Sequence, residues 1–171
     1  AKSWIKYLKN TKKFNRIYIA GHSEGSLIGM IAAGQTNIDG FISLAGAGQP
    51  AYDLIIEQTK GKLPPSLCMK SQEIIDELKK GKTVNNVPIE LNSLFRKSVQ
   101  PYLISWFKYN QQEEISKLTM PILIINGRTD IQVSIYEAIL LHTNNDKAKL
   151  SCIHMGIQCF VSYIFSSHFH V

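Results

Sequence analysis

The feature that most constrains this chain is residues 16–26, RIYIAGHSEGS, where an apolar run ends at a glycine and a G-x-S-x-G motif follows at once. The next residues, LIGMIAAG, predict a short buried helix that ends at Gly34. A serine at so tight a turn needs small neighbours, and Gly21 and Gly25 flank Ser23. The turn exposes the serine hydroxyl at the amino end of a helix, where backbone N–H groups face an oxyanion. The segment predicts a nucleophile elbow, with an ordinary strand-to-helix turn as the alternative.

These residues also carry a resemblance. Residues 21–26, GHSEGS, resemble the elbow of bacterial serine hydrolases and esterases of the α/β-hydrolase family, and the resemblance covers most of residues 1–150. It implies that Ser23 is the nucleophile, that His22 packs beneath the turn and that the backbone N–H of Glu24 holds the oxyanion. Complete members of the family have a sheet of about eight strands and more than roughly 200 residues. We therefore expect this chain to lack the N-terminal part of the fold.

The order of predicted elements indicates the fold class. Helices alternate with apolar strands, which is typical of a parallel sheet with helical crossovers. We expect an α/β protein with a partial α/β-hydrolase fold, in which a mostly parallel sheet of about four strands is flanked by helices. The predicted strands are residues 16–20, 41–45, 120–127 and 149–153, and the helices beside them are residues 3–13, 27–34 and 134–143.

A long interruption separates the second and third predicted strands. Residues 50–118 contain helical segments punctuated by proline and glycine, and they are too long for a plain crossover. We expect a helical cap here, inserted into a core formed by residues 1–49 and 119–156. Residues 93–110 resemble the cap segment of the same hydrolases. Their aromatic side chains either line an acyl pocket or pack within the protein. The predicted cap helices are residues 52–60, 71–80, 91–99, 102–109 and 111–117.

The remaining catalytic residues are implied by the resemblance. A serine nucleophile needs a histidine base and a carboxylate that orients the base, and the family has them in the order Ser, Asp, His. Asp130 lies in residues 127–133, GRTDIQV, which resemble the loop that carries the catalytic acid. Of the five histidines, His154 follows the last predicted strand and is the candidate base. The alternative is that His154 is a bystander, since the family commonly has a Met-Asn-His-like loop where residues 153–156 are IHMG.

Two other segments suggest chemistry that their context does not support. Residues 46–51 match G-x-G-x-x-A, but Pro50 interrupts the loop and no acidic residue follows at the required distance, so we expect no nucleotide cofactor.

Residues 157–171, IQCFVSYIFSSHFHV, are apolar where the family has an amphipathic closing helix, and we expect this tail to be foreign to the fold. His168 and His170 could bind a metal, but two ligands are too few for a site, and we expect none.

Composition sets limits on partners and location. The hydrophobic fraction of 44% and charged fraction of 19% are those of an ordinary globular protein. No apolar run is long enough to span a membrane and no signal peptide is recognisable, so localisation stays open, with the cytoplasm as default.

The three cysteines indicate neither disulfides nor a zinc site. The net charge of +6 comes partly from a lysine-rich helix, which we interpret as a solvated face without nucleic-acid binding. These lysines are Lys2, Lys6, Lys9, Lys12 and Lys13.

The predicted function is that of a serine hydrolase acting on a small-molecule ester or related acyl substrate. The alternative is a catalytically inactive remnant or binding module of the same fold. The family supplies a second oxyanion donor from an earlier strand, and loss of one such donor costs on the order of 100- to 1000-fold in turnover. We therefore expect little activity from this chain alone. The strand at residues 16–20 would form an exposed apolar edge, which favours self-association.

Overall fold

A computed structural model describes residues 1–154 of the protein. Its single described sheet has four parallel strands in the order β1-β2-β3-β4, which confirms the predicted α/β fold class. The strands are β1 (Tyr18–His22), β2 (Gly40–Leu44), β3 (Ile122–Gly127) and β4 (Ala148–Ile153). The tail at residues 157–171, with His168 and His170, lies outside the described residues, as do the last two residues of the predicted core.

The first strand begins later than predicted. The backbone N–H of Ile17 donates to the Asp39 carboxylate at 2.7 Å, and the Ile17 carbonyl accepts from the Asp39 N–H at 2.9 Å. These two bonds occupy the backbone of Ile17 before the ladder starts. Regular pairing with β2 therefore begins at Tyr18 and continues to His22, opposite Leu44.

The helices of the described chain agree with the predicted order except in the 91–99 region. There the chain forms a 3₁₀ turn at Ile89–Leu91 and a short helix that ends at Phe95, because Arg96 is extended, with ψ 147°. The Gln100 side chain donates to the Phe95 carbonyl at 2.8 Å and so satisfies a backbone group left free at the helix end. The helices are α1 (Lys2–Asn10), α2 (Glu24–Gly34), α3 (Ala51–Thr59), α4 (Pro65–Lys79), α5 (Asn92–Phe95), α6 (Gln100–Trp106), α7 (Gln111–Ser116) and α8 (Ile135–Thr143).

The chain divides into two compact units, one formed by residues 1–48 and the chain from Gln111 onward, the other by residues 49–110. The second unit ends before the predicted cap boundary at Leu118. The reason lies in Asn145, whose side-chain amide donates to the carbonyls of Ile115 and Leu118 at 2.7 and 2.9 Å. Helix α7 is thereby attached to the sheet-containing unit.

The core of the first unit lies on one face of the sheet. Phe41, Ile122 and Ala148 occupy one row across β2, β3 and β4 and are all buried, as expected for side chains on the same face. Helix α2 comes close to this row, since a Cβ on Gly29 would lie 2.7 Å from the Phe41 ring. The face is covered by residues of α2, α7 and α8, namely Met30, Ala33, Ile115, Ala138 and Leu141.

The second unit has a hydrophobic core of its own. Helix α4 contributes Ile74, Ile75 and Leu78, all at most 1% exposed, and the ring of Phe107 packs edge to face against Tyr52 at 5.8 Å. Two of the five aromatic residues within positions 93–110, Phe95 and Phe107, are buried within this core, so for them the packing alternative holds. No helix within residues 1–154 combines the length and the apolar composition needed to cross a membrane.

Candidate active site

Ser23 occupies a sharp turn between β1 and α2. Its backbone has φ 54° and ψ −122°, a conformation that costs a residue with a side chain on the order of 1–3 kcal/mol. Two backbone hydrogen bonds hold the turn: the Ser23 N–H donates to the Leu44 carbonyl at 2.9 Å, and the Ser26 N–H donates to the Ser23 carbonyl at 3.0 Å. The Ser23 side chain is exposed. This strained strand-to-helix turn with an exposed serine is the geometry of a nucleophile elbow.

The two glycines of the motif differ in the space that the structure leaves for a side chain. A Cβ on Gly21 would overlap the Gly25 carbonyl group, lying 2.5 Å from its carbon and 2.7 Å from the Ser26 Cα. A Cβ on Gly25 would meet no described atom within 4 Å. The expectation that crowding demands both glycines therefore holds for Gly21 and is wrong for Gly25 within the described structure.

A buried pair of hydroxyl groups lies near the first turn of α2. The Ser26 and Ser43 hydroxyls are 2.7 Å apart and both residues are fully buried, so the bond joins α2 to β2. A Cβ on Gly46 would lie 2.5 Å from both the Ser26 Cβ and the Ser43 Oγ, which shows how closely the loop after β2 covers the pair. This contact was not predicted from the sequence. Its signal was a serine inside each of two otherwise apolar segments.

The other residues of the elbow lie at the surface. The side chain of His22, the last residue of β1, is exposed, which contradicts the expectation that it packs beneath the turn. In a parallel strand alternate side chains point to opposite faces, and Gly21 takes the buried position instead. Glu24 is the first residue of α2. Its N–H therefore belongs to the first helical turn, where N–H groups have no partner within the helix.

Asp130 lies in the loop between β3 and α8 and is half-buried. Its Oδ1 accepts hydrogen bonds from the backbone N–H groups of Gln132 and Val133 at 2.9 and 3.0 Å. The loop is closed by Asn126, a fully buried residue of β3 whose amide donates to the Val133 carbonyl at 3.1 Å. These contacts leave Oδ2 of Asp130 as the oxygen that the loop does not use.

His154 directly follows β4 and is exposed. The strands that precede Ser23, Asp130 and His154 are all parallel, so the three residues lie beyond the same edge of the sheet. β1 and β4 are separated by two other strands, which puts their axes about 14 Å apart at the usual strand spacing. Within residues 1–154 no hydrogen bond joins the side chains of these three residues.

The glycine-rich loop after β2 packs against α8. The Gly48 N–H donates to the buried Glu137 carboxylate at 2.7 Å, and a Cβ on Gly48 would lie 2.7 Å from the Leu140 Cβ. A phosphate-binding loop needs such N–H groups to be free for the ligand. The bond to Glu137 therefore occupies the Gly48 N–H, which is not free to bind a phosphate.

Two depressions lie away from Ser23. One, of about 550 Å³, is lined by the C-terminal end of α2 and by Thr119 and Met120, which precede β3. The other, of about 320 Å³, is lined by residues at the amino ends of the strands, including Tyr18 and Gly40. Both are at the sheet edge opposite to the elbow. No cluster of three or more metal-ligating side chains occurs among the described residues.

Solved structures of other proteins have a fold similar to that of this chain. No protein-family model matches the chain. Among solved structures, an esterase from Pyrococcus furiosus is similar with a TM-score of 0.57 and 17% identity, over 97% of this chain and 57% of that chain. An alpha/beta fold family hydrolase from Bacillus anthracis str. Sterne is similar with a TM-score of 0.56 and 14% identity, over 96% and 69%. With these similarities, the parallel sheet and the strand-to-helix turn at Ser23 show that the chain has an α/β-hydrolase fold.

A sequence relative is similar to much of the chain. Esterase EstD of Thermotoga maritima is 26% identical over 130 residues, which are 76% of this chain and 31% of the relative. The chain thus spans about a third of the length of this curated relative and just over half of the Pyrococcus esterase.

Proposed function

We propose that the chain carries the nucleophile of a carboxylic ester hydrolase, Ser23. The observation that supports this most is the positive φ of Ser23, because a serine is held in a strained conformation only when the surrounding structure imposes it. A strand-to-helix turn that merely connects two elements does not need this strain. The likeness to two proteins named esterases supports the same reaction class.

In the proposed mechanism, the Ser23 Oγ attacks the acyl carbon of the ester and transfers its proton to His154. The resulting oxyanion accepts a hydrogen bond from the Glu24 N–H at the start of α2. His154 then gives the proton to the leaving alcohol, and water hydrolyses the acyl-serine by the same route.

Asp130 is proposed to orient His154 and to stabilise its charged form. Its Oδ1 already accepts two backbone N–H groups, so the carboxylate is held within its loop. A carboxylate oxygen has more than one lone pair, and the second oxygen can accept the imidazole N–H. The substrate class is a small-molecule ester or related acyl compound.

A second function is an inactive binding module. It is favoured by the absence of any hydrogen bond among the side chains of Ser23, Asp130 and His154 in residues 1–154. In this reading β1, an edge strand of the described sheet, pairs with a second copy of the chain. Size-exclusion chromatography coupled to light scattering would detect the resulting dimer.

The two functions are separated by hydrolysis of p-nitrophenyl butyrate and by labelling with a fluorophosphonate. For the hydrolase, we expect slow ester hydrolysis that is lost in Ser23→Ala, together with labelling of Ser23. Ser66→Ala, a change at an exposed serine of α4, is the matched control and should keep both signals. Hydrolysis and labelling no greater in the wild type than in Ser23→Ala would contradict the hydrolase and leave the binding module.

A further inference from the structure

The positive charge of the protein is concentrated at one place. Residues 1–16 contain six of the 19 Lys and Arg residues and none of the 13 Asp and Glu residues. The rest of the chain therefore has equal numbers of both signs, and the whole net charge of +6 belongs to this basic segment. Such an asymmetry indicates an electrostatic partner of negative charge.

The basic segment also exposes large aromatic side chains. Trp4 is 68% exposed, Tyr7 is 59% exposed and Phe14 is 56% exposed. Ile5 is the only residue of α1 that is buried. Three exposed aromatic rings within eleven consecutive residues are unusual for a surface that meets only water.

The two kinds of side chain lie on different flanks of α1. Trp4 and Tyr7 are one turn apart, with their rings edge to face at 5.8 Å. Lys2 and Lys6 are also one turn apart, and the helical repeat puts them on the flank across from the aromatic rings. Ile5 holds the helix to the core between these flanks. The outward side of α1 is thus bordered by aromatic rings along one flank and by lysines along the other.

We propose that the basic segment, residues 1–16, binds the surface of a membrane that contains anionic lipids. On such a surface the aromatic rings would lie at the headgroup level and the lysines on the lipid phosphates. Ile5 attaches the helix to the core of the first unit, because its side chain is buried there. The protein would dock as a folded body without inserting a span.

An anionic membrane fits this surface better than a nucleic acid does. Both partners present phosphates, so the lysines alone do not distinguish them. The aromatic rings do, because Trp and Tyr prefer the membrane–water interface. A nucleic-acid surface would instead combine a basic groove with rings on which bases stack, and Trp4 and Tyr7 are packed edge to face against each other.

Co-sedimentation of the full chain with vesicles tests the proposal. We expect binding to phosphatidylcholine vesicles that contain phosphatidylserine, weaker binding at high salt, and little binding to phosphatidylcholine alone. Lys2→Glu/Lys6→Glu should lower the partition coefficient by at least about 25-fold, since each lysine near an anionic surface contributes about fivefold. The control Lys60→Glu/Lys62→Glu changes two exposed lysines of the other unit by the same charge and should bind like the wild type.

Fluorescence of Trp4 gives a second readout. The chain has two tryptophans, so Trp106→Phe leaves Trp4 as the only one. Its emission should shift to shorter wavelength with phosphatidylserine-containing vesicles and stay unchanged with phosphatidylcholine vesicles. Circular dichroism checks that each variant is folded. Absence of binding, equal binding to both lipid compositions, an equal loss in the control, or binding to a duplex oligonucleotide in place of vesicles would each overturn the proposal.

Discussion

The hydroxyl groups of Ser26 and Ser43 share a buried hydrogen bond of 2.7 Å that joins the first turn of α2 to the middle of β2. Ser23 is three residues before Ser26. The Ser23 N–H donates to the carbonyl of Leu44, the residue after Ser43. Two adjacent links therefore connect the elbow to the neighbouring strand. One link is made by backbone atoms, and the other depends on two side chains.

Removing both hydroxyls of this pair should cost less than the sum of the two single removals. Ser26→Ala or Ser43→Ala leaves the other hydroxyl buried without a partner, with an expected loss of about 1–3 kcal/mol in the free energy of unfolding. The double variant has no orphaned hydroxyl and should lose less than the two single losses together. Urea unfolding of all four proteins gives the coupling energy. Strictly additive losses would show that the bond contributes nothing.

The two glycines of the elbow should respond differently to alanine. Gly21→Ala forces a Cβ into the Gly25 carbonyl group, where only backbone could move away, and should lower the free energy of unfolding by more than about 2 kcal/mol. Gly25→Ala has open space and lies inside α2, so it should be neutral or stabilise by up to about 1 kcal/mol. Thermal and urea unfolding of both variants check this. A larger loss at Gly25 than at Gly21 would contradict the described geometry.

Much of the fold could be predicted from local sequence, because strand, elbow and helix each carry their own pattern. The G-x-S-x-G motif includes its context, and the α/β class and the four strands follow from alternation. What local sequence did not indicate depends on contacts between distant residues. The Ser26–Ser43 bond joins residues 17 positions apart and exists only once β1 and β2 pair in parallel.

The differences between prediction and structure within residues 91–118 also come from contacts between residues that are distant in sequence. Residues 91–99 have helical character, yet the helix ends at Phe95, where Gln100 takes up the last carbonyl. The compact unit ends at residue 110, before the predicted boundary at Leu118, because Asn145, which is 30 positions from Ile115, binds carbonyls at the end of α7. For the candidate site, the motif predicted the sharp turn at Ser23, and the role of Ser23 as nucleophile stays a prediction. The arrangement of Asp130 and His154 around it stays a prediction.

Gln100 should be a strong determinant of stability in the unit of residues 49–110. It is fully buried, its Oε1 accepts from the Val84 N–H at 2.7 Å, and its Nε2 donates to the carbonyls of Val84 and Phe95, both at 2.8 Å. Gln100→Leu keeps the volume but leaves three backbone groups unpaired, with an expected loss of at least about 3 kcal/mol. The control is Gln72→Leu, since Gln72 is exposed and its side-chain amide donates to the Asp76 carboxylate at 3.0 Å.

Urea unfolding followed by circular dichroism measures both variants. Gln72→Leu should change the free energy of unfolding by less than about 0.5 kcal/mol, as is usual for surface substitutions. If Gln100→Leu were as stable as Gln72→Leu, the three hydrogen bonds of Gln100 would not hold the loop at Val84 and the end of α5.

Asp130 allows the structural and the proposed chemical role of one residue to be separated. Its Oδ1 accepts two backbone N–H groups of its own loop, and the carbonyl of an asparagine side chain can accept the same bonds. Asp130→Asn should therefore keep the stability of the wild type, whereas Asp130→Ala should lose about 1–2 kcal/mol, as expected for two lost acceptor contacts at a half-buried site. In ester hydrolysis both variants should fall together, by up to roughly 10,000-fold in kcat, since neither has a carboxylate to stabilise the charged imidazole. Urea unfolding and p-nitrophenyl butyrate turnover measure the two roles side by side. An Asp130→Asn variant that is stable and retains the wild-type rate would exclude Asp130 as the catalytic acid and leave it as a residue that only shapes the loop.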